Sequence, residues 1–400
     1  MTPAPKTILI VNIRLIGDVI LTTPLIGLLK DAYPGAAIDL LVNRGTGEFL
    51  EKDPRVRTVI YSCGHESAAG QAKEGYLAMI FRCYDLAINM NASDRGNFAV
   101  LMAGKRIRVG FYNSGNFWKS LWQKLLLTHP LRFPEQIPVA RHCQIVAQAL
   151  EIAHTRLTVK LYWDDADETR VNGILEERGV NTPFFVVHPF ARWIYKYWRF
   201  EGFAAVSDQI FERYGLRPVW TSSASADEKK QLVEAAGICR HKPAIIGGEL
   251  TLNQMTCLLG RANFYLGLDT AISHLAASTG IPLVALYGPT FTNRWFPWYN
   301  NGPVDQECPE AGAVLSLGNI VVVRKEMECV PCGRAGCDDS GRFQSPCIQE
   351  ISVDEVLAAV DTCLRDVIPI PDQGAIFVGS VEDTSAYLIC TLSSPSPSRP

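Results

Sequence analysis

The sequence predicts an α/β protein made of two parallel sheets with helices on both faces. Apolar runs of strand length alternate with amphipathic helical segments, a pattern typical of parallel sheets joined by crossover helices. The alternation stops at a polar segment rich in Asp and Glu, residues 163–182, and then starts again. A chain of 400 residues is also too long for one ordinary hydrophobic core, so two domains are expected.

The apolar runs place the strands and the domain boundaries. In the first domain, residues 1–162, strands are predicted at residues 7–12, 37–42, 56–61, 85–90 and 106–111. In the second domain, residues 183–368, they are predicted at residues 184–188, 218–221, 244–247, 264–268 and 283–286. A long amphipathic helix is predicted over residues 139–153, and the Pro- and Ser-rich residues 369–400 are predicted to be a disordered tail.

Composition and charge limit the classes of function. Charged residues make up 20% of the chain and apolar residues 48%, as in a soluble globular protein. The formal net charge of −3 argues against a general nucleic-acid binder. Arg14 and Asp18 interrupt the first apolar run, which is not typical of a signal peptide, and no run approaches the about 18 apolar residues of a membrane helix. We therefore expect a cytoplasmic protein.

The first strand leads into a helix with an acidic first turn. Residues 7–12 are followed by Gly17 and Asp18, and apolar residues then recur at helical spacing as far as Lys30. The helix dipole keeps a carboxylate at this position ionised, so Asp18 is a candidate base. The alternative is a structural role as a helix cap or first-turn acid, worth about 1 kcal/mol.

A second polar group follows the predicted strand 264–268. Asp269 and Thr270 come at the sharp turn before a helix, and His274 lies one turn into that helix. Side chains and backbone amides at such a turn bind phosphates in α/β proteins. The alternative is that Thr270 only caps the helix and that His274 is a half-buried, hydrogen-bonded residue.

Residues 105–141 form a basic segment with interleaved aromatic residues. Its basic residues, set against the single acid Glu135, are Lys105, Arg106, Arg108, Lys119, Lys124, Arg132 and Arg141. A surface for an anionic lipid acceptor at a membrane would be formed by Lys119, Lys124, Trp118 and Trp122. The alternative is a helix with lysines on its solvated face and a buried stripe of Trp118, Trp122 and Leu125.

The chain has 12 cysteines, many for a cytoplasmic protein, and four of them are closely spaced. These are Cys329, Cys332, Cys337 and Cys347, in a Cys-rich insertion at residues 329–347. Thiolates this close favour a structural zinc (Zn²⁺) site, and an iron–sulfur cluster is a less favoured alternative. The expected location disfavours disulfides, and reduced thiols without a ligand are the remaining alternative. Any metal would be structural, because the cysteines lie outside the strand-end motifs.

The motifs together resemble glycosyltransferase family 9, the ADP-heptose:lipopolysaccharide heptosyltransferases, and within it the branch that adds the third heptose. The likeness runs from about residue 8 to about residue 367. The motifs that carry it are Arg14-x2-Gly17-Asp18-x3-Thr22-Thr23-Pro24, His188-Pro189, Lys196-x-Trp198, Asp269-Thr270-x3-His274-x-Ala276-Ala277 and Gly288-Pro289-Thr290. Their common order and spacing make the resemblance specific.

The resemblance implies the GT-B architecture, in which two Rossmann-like domains face a central cleft. It also implies an inverting transfer of heptose from an ADP-heptose donor to the lipopolysaccharide inner core. Asp18 would be the catalytic base, and the donor would be bound by Lys196, Glu228, Asp269, Thr270 and His274. The acceptor would be an anionic, lipid-linked core oligosaccharide, reached by peripheral contact with the inner face of the cytoplasmic membrane.

Other functions fit parts of the same pattern. A nucleotide-sugar epimerase shares the architecture but needs no lipid acceptor, so the basic segment argues against it. A non-catalytic nucleotide-sugar-binding scaffold would not need Asp18. Without the resemblance, Lys196 would be interpreted as a solvated surface lysine. No metal or other cofactor is expected in catalysis, because Asp165 and Asp167 open an acidic helix instead of closing an apolar strand.

Overall fold

A computed structural model describes residues 3–62, 75–113, 115, 117–154 and 156–365, and of residues 117–119 it describes the backbone only. The strands in this part of the chain are β1 (Thr7–Asn12), β2 (Ala37–Asn43), β3 (Thr58–Ser62), β4 (Tyr84–Asn89), β5 (Gly104–Tyr112), β6 (His129–Arg132), β7 (Phe184–His188), β8 (Arg217–Ser222), β9 (Ala244–Gly247), β10 (Phe264–Leu268), β11 (Leu283–Tyr287), β12 (Val314–Leu317) and β13 (Ile320–Arg324).

The α-helices of the same residues are α1 (Ile16–Ile20), α2 (Thr23–Ala32), α3 (Gly75–Ile80), α4 (Asp94–Ala103), α5 (Phe117–Leu126), α6 (His142–Ala149), α7 (Asp165–Glu177), α8 (Phe200–Tyr214), α9 (Ala226–Ile238), α10 (Leu252–Arg261), α11 (Ala271–Thr279), α12 (Thr292–Trp295), α13 (Pro346–Gln349) and α14 (Val353–Leu364). Short 3₁₀ turns lie at Glu48–Lys52, Val139–Arg141 and Ile194–Lys196. Among the described residues, no helix is long and apolar enough to cross a membrane.

Within the described ranges the strands form two sheets that share the same arrangement of six parallel strands, and the second sheet has β12 as an additional edge strand. The first has the order β3-β2-β1-β4-β5-β6, and the second β12-β13-β11-β10-β7-β8-β9. All pairs are parallel except that of β12 with β13. In each sheet the first and fourth parallel strands are neighbours, β1 with β4 and β7 with β10. After one strand of each pair the sheet continues to one side, and after the other strand it continues to the opposite side. A crevice that can hold a ligand forms at this point, at the carboxyl ends of the two strands. The α/β prediction is confirmed.

The central strands are apolar along their whole length because helices cover both faces of each sheet. In β1 the residues Ile8, Leu9, Ile10 and Val11 are all fully buried. In β10 the whole strand from Phe264 to Leu268 is likewise buried. An alternating strand would leave one face exposed to water, so continuous apolarity is the signal that places these strands at the centre of the sheets.

The helix predicted after β1 is instead two helices, α1 and α2. Pro24 lacks an amide hydrogen and cannot continue the hydrogen-bond ladder of α1, but it fits the first turn of α2. The hydroxyl of Thr23 donates to the carbonyl of Ile20 over 2.8 Å in place of a backbone amide. The break shortens α1 to the turn that carries Asp18.

The helix predicted at residues 139–153 is also shorter than expected. It begins as a 3₁₀ turn at Val139–Arg141 and continues as α6 only to Ala149. Glu151 has a left-handed backbone conformation, with φ of 57°, and this ends the helix. By contrast, α7 confirms that Asp165 and Asp167 open an acidic helix, because Asp164 and Asp167 form a capping box.

Hydrogen bonds tie the two halves of the chain together. Asn300 pairs with both backbone groups of Val159, each over 2.9 Å, and Trp298 Nε1 donates to the carbonyl of Leu157 over 2.8 Å. Asn253 Nδ2 donates to the carbonyl of Phe49 over 2.9 Å. The boundaries proposed from the sequence, 1–162, 163–182 and 183–368, remain a prediction, and the predicted tail 369–400 lies outside the described residues.

Candidate active site

Asp18 lies in the first turn of α1, just past the carboxyl end of β1. The side chains of Asn12 and Thr22 donate hydrogen bonds to its backbone carbonyl over 3.0 and 2.9 Å and thereby fix the turn. Asp18 lines a cavity, and Arg14 Nε is 3.8 Å from its Oδ1. A carboxylate at the wall of a cavity, held by a rigid turn, meets the geometric need of a general base.

The electrostatic surroundings make Asp18 a stronger base than an exposed aspartate. Burial raises the pKa of Asp18 above its ordinary value. The positive charge of Arg14, a backbone hydrogen bond and the charge of Arg294 oppose this shift without cancelling it. The carboxylate therefore takes up a proton more readily than usual.

Lys196 and Asp269 form an ion pair beyond the carboxyl ends of β7 and β10, the neighbouring strands that correspond to β1 and β4 of the first sheet. Asp269 follows β10, and Lys196 ends the 3₁₀ turn that follows the neighbouring strand β7. Lys196 Nζ is 2.5 Å from Asp269 Oδ2, and the hydroxyl of Thr290 donates to the same oxygen over 2.5 Å. The side chains of Lys196 and Asp269 are 18% and 7% exposed. A cation is thus fixed beside the N-terminus of α11, where a phosphate would be bound.

Thr270 and His274 belong to α11, which begins beside this ion pair. Thr270 is the N-cap residue, and its hydroxyl accepts a hydrogen bond from the amide of Ile272 over 3.2 Å. Burial lowers the pKa of His274 to about 4, so the ring is neutral at pH 7. Its Nδ1 is buried and has no hydrogen-bond partner within the described residues. A buried nitrogen without a partner is available to a ligand.

Helices α1 and α11 meet across the cleft between the two halves. A Cβ atom placed on Gly17 would lie 3.4 Å from Cδ2 of His274, so the imidazole packs directly against the backbone of Gly17. Asp18 is the next residue. Asp18, the candidate base that follows β1, therefore lies next to the helix that begins at the polar turn of Asp269 and Thr270.

Two further residues that the resemblance indicated, Glu228 and His188, form hydrogen bonds with groups other than Lys196 and Asp269. Glu228 lies in the first turn of α9 and accepts a hydrogen bond from the amide of Ser223 over 2.9 Å. Burial and the charge of Glu228 raise the pKa of Tyr197 to about 12, which places Glu228 near the residue that follows Lys196. His188 is buried, and its Nδ1 pairs with Thr221 Oγ1 at 2.9 Å, so this residue supports the sheet.

Comparison with known proteins decides the family. The model of glycosyltransferase family 9 (heptosyltransferase) matches residues 79–305, more than half of the chain. The chain belongs to glycosyltransferase family 9. The resemblance predicted from the motifs is confirmed, and the protein is a glycosyltransferase.

Relatives and solved structures agree with this placement. "Lipopolysaccharide heptosyltransferase 3" of Escherichia coli is 29% identical over 294 residues, which are 72% of this chain and 85% of that relative. "Lipopolysaccharide core heptosyltransferase OpsX" of Haemophilus influenzae is 22% identical over 302 residues, 75% of this chain and 84% of that relative.

Two solved structures show the fold. A family 9 glycosyl transferase from Veillonella parvula has a TM-score of 0.70 at 18% identity and covers 90% of this chain and 97% of its own. The E. coli ADP-heptose lps heptosyltransferase II has a TM-score of 0.64 at 18% identity, and the match covers 90% of this chain and 99% of that one. The predicted GT-B architecture is confirmed.

In this family 9 glycosyltransferase, the described part of helix α5 includes buried polar side chains and exposed apolar ones. Ser120 and Gln123 are buried, and Gln123 Nε2 donates to Asp94 Oδ1 over 2.8 Å. Leu125 and Leu126 are 73% and 51% exposed. Leu125 is therefore not part of a buried stripe, and that alternative is wrong at this position.

The four residues predicted for the acceptor surface are described unequally. Trp122 is half-buried and Lys124 is exposed, with its Nζ 4.7 Å from the centre of the Tyr112 ring. The side chains of Trp118 and Lys119 lie outside the described residues. The acceptor surface therefore stays a prediction.

The four clustered cysteines lie between β13 and α14. Burial raises the pKa of Cys347 to about 11, and the charges of Cys332, Cys337 and Cys329 add to this effect, so these three thiols lie near Cys347. In the described part of the chain, however, no group of three or more His, Cys, Asp or Glu side chains has a geometry that could hold a metal ion. The four thiols are therefore not assembled as a metal site in this arrangement, and zinc stays a prediction.

The cavity beside Asp18 is also lined by residues that the motifs did not include. Asn12, Asn91, His142 and Arg294 are among them. Asn91 comes two residues after β4, the neighbour of β1, and polar residues after adjacent central strands are a signal that could have indicated it. His142 and Arg294 lie far from Asp18 in sequence, and nothing in their local sequence relates them to it.

Proposed function

We propose that this chain transfers heptose from ADP-heptose to the lipopolysaccharide inner core with inversion at the anomeric carbon. The contact between α1 and α11 is the observation that most supports the proposal, because Asp18 lies beside the helix that begins at the Asp269–Thr270 turn. An acceptor held at Asp18 and a donor held at Asp269 would react across this contact. The similarity to two E. coli proteins named lipopolysaccharide heptosyltransferase 3 supports heptose as the sugar and lipopolysaccharide as the acceptor.

The acceptor step needs one base. The acceptor oxygen attacks the anomeric carbon, its proton passes to the Asp18 carboxylate, and the bond from that carbon to the ADP oxygen breaks on the opposite face. A sugar hydroxyl is too weak an acid to ionise beforehand, so the proton moves as the new bond forms. The raised pKa of Asp18 supports this role.

The donor step needs positive charge beside the departing diphosphate. Lys196 and the free backbone amides at the start of α11 supply it, and Asp269 holds Lys196 in position before the donor binds. The neutral His274 ring has an unsatisfied nitrogen for a donor oxygen. Glu228 binds the donor ribose in this arrangement.

Product analysis tests the proposal against its rivals. The purified protein is incubated with ADP-heptose and a panel of truncated core lipids, and the lipids and nucleotides are analysed by mass spectrometry. We expect one heptose to be added to one acceptor, with release of ADP. An altered nucleotide sugar without any acceptor would identify an epimerase, and ADP-heptose binding without product would identify a scaffold. Either result overturns the proposal.

We also propose that the protein works on the cytoplasmic side, in peripheral contact with the inner membrane. The exposed Leu125 and Leu126 follow Lys124 on α5, and the fully buried side chains described on this helix, Ser120 and Gln123, are polar. Apolar side chains can enter the headgroup region while lysines meet anionic lipids. A lipid surface therefore fits this side of α5 better than water does.

Replacing Lys124 by Gln should weaken binding to vesicles that contain anionic lipid by about 1 kcal/mol, roughly fivefold. Binding should also fall as salt rises, because exposed charges are screened over about 8 Å at physiological ionic strength. Sedimentation with vesicles measures both effects. Lys230→Gln, on the exposed surface of α9, is the matched control. Equal vesicle binding by the Lys124 and Lys230 variants would remove α5 from the membrane contact.

We further propose that the four-cysteine loop is a structural zinc site, supported by its spacing and by the nearness of the thiols. The exposed thiols of Cys329 and Cys337 would have to turn toward Cys347 to bind the ion. Purified protein should then carry about one equivalent of zinc, and chelation should lower Tm because the binding free energy is available only to the folded site. Cys83→Ser, outside the loop, should keep the metal. Metal-free protein with an unchanged Tm would contradict the proposal.

A further inference from the structure

Four of the residues that line the cavity beside Asp18 have buried polar atoms without hydrogen-bond partners among the described residues. Within the described residues, no hydrogen bond is made by Asn12 Oδ1, Asn91 Nδ2, His142 Nε2 or Arg294 Nε, and all four residues line this cavity. Buried polar atoms are rarely left unpaired in folded proteins. Their convergence on one cavity indicates a ligand with several polar groups, such as a sugar ring.

Two of these atoms can be assigned as an acceptor and a donor. Burial lowers the pKa of His142 to about 3, so the ring is neutral, and it hydrogen-bonds to the backbone of Pro134. Since Nε2 is the unpaired nitrogen, it is free to accept a hydrogen bond from a hydroxyl group. Arg294 Nε is a donor only.

Arg294 reaches this cavity from the other half of the molecule. It lies in α12, after β11 of the second sheet, whereas Asp18, His142 and the two asparagines belong to the first half. Its guanidinium stacks near Phe133, 5.3 Å from the ring centre. Among the described residues it has no ion pair or side-chain hydrogen bond, although it is largely buried.

Among the described residues, the charges that line the cavity are not balanced. The cavity is lined by two guanidinium groups, those of Arg14 and Arg294, and by one carboxylate, that of Asp18. Glu135, the other carboxylate that acts on Arg294, is exposed and outside the lining. Burying an unpaired charge is costly, so a guanidinium in this position calls for an anionic partner.

We propose that Arg294 binds an anionic substituent, a phosphate or a carboxylate, on the acceptor sugar whose hydroxyl faces Asp18, and that it thereby determines acceptor specificity. The inference rests on the proposed function, since it takes the cavity at Asp18 as the acceptor site. Because Arg294 comes from the donor-binding half, acceptor binding holds the two halves together across the cleft. The guanidinium fork matches the paired oxygens of either anion.

The test compares matched acceptors in the full-length enzyme. Core acceptors that carry a phosphate, a carboxylate or neither beside the reacting hydroxyl are assayed with wild type, Arg294→Gln and Arg294→Lys. We expect wild type to prefer one anionic acceptor over the neutral one by about 10- to 100-fold in KM, the usual worth of hydrogen bonds to a charged group. Arg294→Gln should lose that preference, and Arg294→Lys should keep part of it. ADP affinity should not change. The anionic acceptor with the lower KM shows whether Arg294 binds a phosphate or a carboxylate.

Controls separate this inference from the proposed function. Arg170→Gln, on the exposed side of α7, should behave as wild type. Calorimetric titration with a sugar phosphate, a sugar acid and the neutral sugar measures the same preference without turnover. An enzyme that transfers no heptose but binds the anionic sugar through Arg294 would disprove the function and keep the inference. Equal use of charged and neutral acceptors, or an equal loss on both in Arg294→Gln, would overturn the inference.

Discussion

Replacing Asp18 by Asn lowers turnover by about 10²- to 10⁴-fold, the usual contribution of a positioned general base, and leaves ADP affinity unchanged. The amide has the size of the carboxylate but cannot take the acceptor proton. The turn should persist, because Asn12 and Thr22 bind the backbone carbonyl of residue 18 and not its side chain. Single-turnover assays and ADP titration measure the two effects.

The pH profile gives an independent check on Asp18. Burial raises the pKa of this carboxyl, so kcat/KM should fall as the pH drops through a value above the ordinary aspartate value of about 3.9. The Asn variant should lack this acid limb. Asp165→Asn, in the exposed first turn of α7, is the control and should keep both turnover and the limb. Near-normal turnover of the Asp18 variant would remove Asp18 from catalysis.

Much of the fold could be predicted because its strands are local apolar runs. The strands β6, β12 and β13 were not predicted. β6 and β12 are four-residue strands at the sheet edges, and β6 contains Pro130 and is at best half-buried. β13 is a fully buried, mostly apolar run of five residues that the same reasoning should have found. The boundaries of α2 and α6 depend on single residues. Glu151 adopts a left-handed conformation that usually marks a glycine, so the sequence carries no sign that the helix ends there.

Site residues that are close together in the sequence could be predicted from their motif. Site residues that only the fold brings together could not. Asp269, Thr270 and His274 lie within one strand–turn–helix unit, so their local order was enough. The partner of Asp269 is 73 residues away, and the pair depends on β7 lying next to β10. Arg294 is further still from Asp18 in sequence, and the two meet only because the two halves of the chain pack against each other.

Replacing Lys196 by Ala should weaken ADP binding by about 10- to 100-fold, because a charge-assisted contact to the diphosphate is lost. It should also lower the free energy of unfolding by about 3 kcal/mol, the lower end of the cost of breaking a buried ion pair, since Lys196 is partly exposed. The remaining Asp269 carboxylate would be buried, with the hydroxyl of Thr290 as its side-chain partner in the described network. Calorimetry with ADP and chemical denaturation measure the two quantities.

A double variant separates donor binding from stability. Removing both partners of a buried pair is often close to neutral, whereas removing one leaves an uncompensated charge. Lys196→Ala combined with Asp269→Ala should therefore regain most of the lost stability but none of the ADP affinity. Lys229→Ala, an exposed lysine on α9, should change neither quantity. If the double variant regains ADP affinity together with stability, Lys196 only holds the turn in place, and the diphosphate must be bound by the amides of α11 alone.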